Sequence, residues 1–476
     1  MDSAEAYASS SCVLMVSRAT MRDIGVLGGG ISGLYTAHFL GGDVDVLEAD
    51  ARVGGLARSF GAEGFLSDIG GHILFSKDEE ALAHEVGILG SNIRQGFRKN
   101  RVLYDGKFVK YPFENGIDVL PKEDIVDILH TFIENPHTAK PTNFREWMYH
   151  VFGDGLTNRY MLPYNEKIWK TPPEQMSLDW VDRVPRPPLL DLLRTAVGIQ
   201  TEGYAHQLYF KYPDSGGFES LPKAVADRIR PKITTGFRVT KAIPVDGGWM
   251  VISDKGEERR YKQLISTLPI TTLFDALGNV PSEVESAARA LRYNSLRVVL
   301  VGVNAATLAD YTALYVADPK SIYHRVCYNH VFSPNMCPTG CQSVSCEITV
   351  PPGGELDGWS DEQLLDKCIG DLVRDEVIPT AKDICFRHVH RERYAYVVYD
   401  LGYPERVKTI RDYALRCGIH LAGRFAEYRY VNTDACVRRA LDLARELRGG
   451  TIAPESRLPG DTTGLPTART GAATGA

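Results

Sequence analysis

Between positions 24 and 48 the chain passes from an unbroken apolar run to a helical period and back again. Ile24–Leu27 is the kind of short apolar run that forms a buried strand. Ile31 to Leu40 has helical spacing, and Val44–Leu47 predicts a second strand that Glu48 ends. Downstream, "PKEDIVDILHTFIEN" carries acids in its first turn and apolar Ile125, Ile128, Leu129 and Phe132, which predicts a helix. "NFREWMYHVFGDGLTNRYMLPYNEKIWKT" continues that pattern, and Leu189–Val197 predicts another helix. "GFRVTKAIPVDGGWMVISDKGEERRYKQLISTLP" instead alternates strands and turns.

From about Leu296 to Val350 the pattern is strand-like again, in "LRVVLVGVN" and "SVSCEITV". "SDEQLLDKCIGDLV" then offers a capping box, Ser360 with Gln363, before a helix. No internal repeat is visible. The expectation is an α/β fold of three interleaved units. A discontinuous Rossmann-type domain takes residues 21–80, 213–270 and 415–448. A helical insertion covers 116–200, and an antiparallel sheet domain takes 81–115 and 271–414. Residues 1–20 and the Thr-, Gly-, Pro- and Ala-rich stretch 449–476 read as disordered.

Composition narrows the function only a little. The 476 residues are 44% hydrophobic and 24% charged, with a formal net charge of −6. Nothing in that balance recruits nucleic acid or an anionic membrane. No run approaches the roughly 18 apolar residues of a membrane span. The N-terminal segment, with a single short apolar patch (CVLMV), is a poor secretory signal. Nine cysteines follow no disulfide framework, and Cys337, Cys341 and Cys346 lack zinc-knuckle spacing. The expectation is a cytoplasmic protein with no metal.

Candidate chemistry begins at Gly28, Gly30 and Gly33, which form G-x-G-x-x-G between the first strand and the helix. The first glycine permits a tight turn, the second admits a pyrophosphate, and the third allows close helix–strand packing. Glu48, twenty positions after Gly28, can accept from a ribose hydroxyl. "ARVGGLARSF" follows directly and resembles the second phosphate-contacting motif of the flavoprotein superfamily that includes amine oxidases and protoporphyrinogen oxidase. Ser266-Thr267-Leu268-Pro269 resembles the return of such chains to the FAD domain, and "LAGRFAEYRYVNTD" the closing FAD motif with a short helix after it. The resemblance implies FAD contacts from Gly28, Gly30, Ile31, Ser32, Gly33, Glu48, Gly54, Gly55, Leu56, Arg58, Gly71, Val239, Thr267, Gly423, Arg424, Asn432 and Asp434.

Four further stretches resemble the UDP-galactopyranose mutase family, more its eukaryotic type than the short bacterial one. They are "GGHILFS", "KYPFENGIDVLPKED", "LPYNEKIWKTPPEQM" and "GRFAEYRY". That family interconverts pyranose and furanose rings of a nucleotide-bound galactose on reduced FAD, through a bond between flavin N5 and the sugar. The resemblance implies a nucleoside-diphosphate sugar as partner and NAD(P)H as one source of electrons. Arg183 and Arg325 would clamp the two phosphates, with Tyr315, Tyr403 and Tyr430 as hydroxyl donors. Arg424 would sit near flavin and substrate, and His72 against the flavin. Phe75, Tyr111 and Trp169 would frame base and sugar, with Asn165 reaching sugar hydroxyls and Gln207 near a substrate loop.

Two departures concern the substrate. Glu114 stands where the family usually has glutamine, and Phe332 where it has a phosphate-side tyrosine. A carboxylate only accepts, so Glu114 suits guanine's adjacent N–H donors better than uracil's single N–H. An FAD-dependent oxidoreductase of the amine oxidase or protoporphyrinogen oxidase type is the alternative activity. Self-association into a homo-oligomer is left open, because no motif marks such a surface.

Overall fold

The computed structural model describes residues 21–184, 186–202, 208–304 and 307–449, excluding the side chains of residues 182 and 183. The readings of 1–20 and 450–476 as disordered, and of Gln207 as a substrate contact, fall outside that range. Arg183 ends the 3-10 turn Leu178–Arg183, but its side chain is also outside it.

The first motif folds as its pattern predicts. A strand Arg22–Leu27 (β1) leads into a helix Ile31–Leu40 (α1) and then a strand Val44–Leu47 (β2). β1 pairs in parallel with β2 on one side and with the strand Glu258–Ser266 on the other. In sequence order the last partner is more than two hundred residues away, which makes this sheet discontinuous. Its path runs Val239–Val245, Gly248–Ser253, Glu258–Ser266, β1, β2 and Ile233–Thr234, with Ile419–Leu421 also on Glu258–Ser266. α1 packs against the helices Ser220–Ile229 and Thr433–Leu447. The last of these is the helix expected to be short after the Gly-Arg motif, and it is fifteen residues long. Its apolar face, including Val437, Ala440 and Ala444, is buried, and that packing extends it.

A second seven-stranded sheet runs Ile384–Val397, Tyr293–Val303, Gln342–Val350, Arg325–Tyr328, Ala313–Val316, Asn100–Tyr104 and Lys107–Lys110. All neighbours are antiparallel except Ala313–Val316 with Asn100–Tyr104. Its register brings Tyr315 opposite Arg325 and Arg325 opposite Glu347. Directly paired residues on adjacent strands point to the same face. Three polar side chains therefore stand in one row across the sheet.

The helices Lys122–Ile133 and Phe144–Leu156 pack closely because glycines face the contact. A Cβ on Gly155 would lie 2.6 Å from the Ile128 Cα, and one on Gly153 only 2.2 Å from the Thr131 carbonyl oxygen. Gly153, at φ +67°, breaks the helical run there. A π turn, Thr157–Met161, then leads into the helix Leu162–Trp169, which carries Tyr164, Asn165 and Trp169. The helix expected over Leu189–Val197 spans Leu189–Ala196, and Ser360 and Gln363 form the anticipated capping box.

Candidate active site

The glycine loop is a cradle that larger residues would fill. Gly28 has φ +101°, and a Cβ there would lie 2.5 Å from the Thr267 hydroxyl. At Gly33 it would lie 2.0 Å from the Gly28 carbonyl oxygen. Gly30 caps α1 without a side-chain hydrogen bond, so the first-turn N–H groups have no side-chain acceptor from the cap. Gly54 donates its N–H to the Gly29 carbonyl at 2.8 Å, bringing the second glycine pair against the first. Glu48 accepts the N–H groups of Gly29 and Asp50, both at 2.8 Å, and burial pushes its carboxyl pKa up. A dinucleotide pyrophosphate and ribose match this donor and acceptor set. Gly423, at φ +106°, closes it, since a Cβ would meet the Ser32 hydroxyl at 2.6 Å.

Four other expected cofactor residues have these surroundings. Arg58 donates to the Gly55 carbonyl at 3.0 Å and pairs with Asp50 at 2.9 Å. Asp434 accepts from the Ser76 hydroxyl at 2.5 Å, tying the start of Thr433–Leu447 to the segment that holds His72. Asn432 is the N-cap of that helix, without a side-chain hydrogen bond. Val239 begins the strand Val239–Val245 and is buried.

The Gly70-Gly71-His72 loop joins the cradle to the second sheet through Glu347. This carboxylate, 1% exposed, accepts Arg325 Nε at 2.8 Å and Nη2 at 2.7 Å. It also accepts the Gly71 N–H at 2.9 Å and the Tyr396 hydroxyl at 3.2 Å. Burial alone would raise its pKa. The Arg325 charge, with the hydrogen bonds, wins and holds it at about 2. His72 turns Nδ1 toward the Gly70 carbonyl at 2.8 Å and stacks on Phe218 with ring centroids 4.8 Å apart. Burial, then the nearby Arg424 charge, lowers its pKa to about 4, so the ring is neutral at pH 7.

Aromatic rings flank the row. Tyr111 stacks on Tyr315 at 4.6 Å, and Tyr164 meets Tyr315 edge-on at 5.8 Å. Arg98 lies 5.9 Å from both the Phe75 and Tyr111 ring centres, and its Nη2 is 3.4 Å from the Tyr315 hydroxyl. On the other side Tyr430 stacks on Tyr396 at 5.9 Å, with Trp169 and Trp180 edge-on to it. Arg424 sits 4.4 Å over the Tyr430 ring. Its three nitrogens all donate to backbone carbonyls, of Val431 and Ala395. Arg424 thus builds the wall through its backbone contacts.

The structure links His72, Phe75, Tyr111, Tyr315, Arg325, Trp169, Arg424 and Tyr430 through a continuous run of ring contacts and charges around the Tyr315–Arg325–Glu347 row. Glu114 is buried beside this group, close enough for its charge to act on Tyr111 and Tyr160. Asn165 is also buried, and its amide donates to the Met161 carbonyl at 2.7 Å. Tyr403 is not brought to the row. Its hydroxyl donates to the Tyr428 carbonyl at 2.7 Å, from the first turn of the helix Tyr403–Arg416. Tyr396, on the strand before that helix, reaches Glu347 instead. Phe332 packs on Tyr212 at 5.3 Å within the core. Sequence reasoning missed Glu347, Arg98, Tyr396 and Tyr164. Tyr164 lies inside a motif already singled out, whereas the others become visible only through cross-strand register or an unpatterned turn.

The fold and this site define a flavoprotein. The sequence matches the flavin containing amine oxidoreductases over residues 31–448, and the chain belongs to that family. Among solved structures it is similar to a reduced UDP-galactopyranose mutase, with 25% identity and a TM-score of 0.84, covering 92% of this chain and 97% of that one. It shares its fold with a putative protoporphyrinogen oxidase from Exiguobacterium (18% identity, TM-score 0.70, 90% of this chain and 99% of that one). The same holds for a putrescine oxidase (16% identity, TM-score 0.61, 90% and 99%). Among the described residues no helix is long and apolar enough to cross a membrane.

Proposed function

We propose that this flavoprotein is a nucleotide-sugar mutase, interconverting pyranose and furanose forms of a nucleoside-diphosphate hexose such as UDP-galactose. The observation that carries the reading is the Tyr315–Arg325–Glu347 row beside the Gly70-Gly71-His72 loop. Glu347 takes Nε and Nη2 of Arg325, which fixes the guanidinium plane and leaves Nη1 unused by that pair. A rigidly held guanidinium is suited to a diphosphate that must be released and then recaptured. An amine or a porphyrinogen gives no reason for it.

FAD held in the glycine cradle, when reduced, supplies the nucleophile for the anomeric carbon and takes no net electrons from the substrate. The protein's own part is binding and orientation. Arg325 and Arg98 would neutralise the diphosphate, and the Tyr315 hydroxyl would donate to it. Tyr111 would stack on the base, and the Trp169–Tyr430 side would exclude water from the sugar. A neutral His72 keeps a polar, uncharged ring at the loop. Oriented donors of this kind contribute on the order of 2–4 kcal/mol each to transition-state stabilisation. NAD(P)H is the reductant to test, and Arg183 the expected second phosphate clamp.

The deciding experiment is anaerobic. Protein reduced with dithionite is incubated with UDP-galactofuranose, and UDP-galactopyranose is followed by chromatography. Conversion by the reduced sample alone is expected. Oxygen consumption with an amine, and no conversion of any nucleotide sugar, would move the protein to the oxidases. Glu114 bears on the base: Glu114→Gln should raise the preference for uracil over guanine nucleotides relative to the parent. An unchanged preference would remove Glu114 from base recognition.

A further inference from the structure

The helix Leu162–Trp169 has a second face. Asn165 and Trp169 are buried on one side, while Lys167 and the following Lys170 border a separate cleft of about 560 Å3. Lys320 and Lys367 close the cleft from the segments opposite, and Leu356 and Trp359 give it an apolar wall. A volume of this order suits a small metabolite. None of the side chains placed around Glu347 borders it.

Four lysines could be an ordinary solvated rim, but Lys167 is only 8% exposed. Its ammonium donates to the Asp318 carbonyl at 2.6 Å and, among the described residues, makes no ion pair. Burial, then the charge of Lys170, lowers its pKa to about 7, against the opposing pull of Asp318, Asp375 and Asp371. Lys170 and Lys320 also make no ion pair among the described residues, whereas Lys367 pairs with Asp371 at 2.5 Å. Glu166 and Glu355 lie on the same rim; neither comes within ion-pair distance of these lysines among the described residues, although the Glu355 charge acts on Lys170. The Lys167 amine thus has one carbonyl acceptor and, among the described residues, no carboxylate within ion-pair distance, so a further acceptor in the cleft would favour its charged form.

We propose that this cleft is a second anion site, taking a phosphate ester with its phosphate among Lys167, Lys170 and Lys320 and its organic part against Leu356 and Trp359. It is independent of the reading of the flavin site. A divalent phosphate would give Lys167 its missing acceptors, and the apolar wall would favour an ester over free phosphate.

The test uses the full-length FAD holoprotein and tryptophan fluorescence, titrated with phenyl phosphate and with inorganic phosphate. A saturable response is expected that Trp359→Phe abolishes and that Arg325→Lys, altered only in the flavin site, retains. Phenyl phosphate should bind at least threefold more tightly than inorganic phosphate. Lys170→Gln/Lys320→Gln, both exposed and safe for folding, should weaken it at least tenfold. An unchanged midpoint in that double variant, or loss of the response in Arg325→Lys, would overturn the proposal. Equal affinity for the two probes would overturn the role given to Trp359.

Discussion

Glu347 and Arg325 face each other across two neighbouring strands and share two hydrogen bonds, at 2.8 and 2.7 Å. The same carboxylate holds the Gly71 N–H, so the expected phosphate clamp and the loop expected to face the flavin hang from one buried group. Glu347→Gln keeps the shape and removes the charge, leaving the half-buried Arg325 without its counter-ion. Breaking such a pair costs about 3–5 kcal/mol of stability. Turnover should fall roughly 100-fold, in line with a loss of about 2–4 kcal/mol from an oriented donor. Urea unfolding and steady-state rates check both. A variant within about 0.5 kcal/mol of the parent, and fully active, would mean that the pair does not organise the site.

The contrast between β1–α1–β2 and the Glu347 row explains what was legible in the sequence. The glycine loop is local: strand, turn, helix and acid lie within one short stretch, and each leaves a period or a residue type behind. The motif-borne side chains, such as Tyr111 and Trp169, came from resemblance, and the structure places these two on opposite sides of the row. Glu347 sits in "SVSCEITV", which reads only as a strand, because its meaning arises from register with Arg325. The long strand Ile384–Val397 left no strand signal at all. Its charged run "RHVHRER" lies on a half-exposed edge of the sheet, and only its buried end delivers Tyr396 to the site. Arg98 follows a short strand, Arg94–Phe97, whose pattern carries no chemistry.

His72 offers a titration with a definite sign. Burial holds its pKa at about 4, below the ordinary value of 6.5. Between those values the unfolded chain binds a proton that the folded chain refuses. The contribution of the neutral ring is therefore complete above about pH 6.5 and shrinks as pH falls toward 4. His72→Phe keeps a ring on Phe218 without the titration. The stability difference between parent and variant should shift against the parent by about 1.4 kcal/mol per pH unit in that window. Chemical denaturation at pH 7, 6 and 5 measures it, and a pH-independent difference would refute the assignment.

Glu85 has the opposite sign. It is fully buried, its carboxyl oxygens make no well-formed hydrogen bond, with only the Thr433 side chain near enough to oppose the shift, and the Tyr35 hydroxyl is unpartnered among the described residues. Burial, then the Asp434 charge, raises its pKa to about 8. The folded protein thus holds a proton that the unfolded chain loses near pH 4.5. Stability due to this group is present at low pH and declines as pH rises toward 8, by about 1.4 kcal/mol per unit. Glu85→Gln removes the dependence, so its advantage over the parent should grow from pH 5 to pH 8. An advantage that stays constant across that range would show that the carboxyl is already ionised in the fold.

Arg98 separates binding from chemistry. It lies over Phe75 and Tyr111 and reaches the Tyr315 hydroxyl, on the side of the row away from Trp169 and Tyr430. Its position among stacked rings suits a base or a distal phosphate more than the reacting sugar carbon. An interaction made equally in ground and transition states raises KM when removed and leaves kcat alone. A cation stacked on aromatic rings contributes about 1–2 kcal/mol. Arg98→Ala should therefore raise KM for the nucleotide sugar roughly 5- to 30-fold with kcat nearly unchanged. Arg325→Lys, at the guanidinium fixed by Glu347, should lower kcat instead. A loss of kcat in Arg98→Ala comparable to that in Arg325→Lys would place both arginines on the same phosphate.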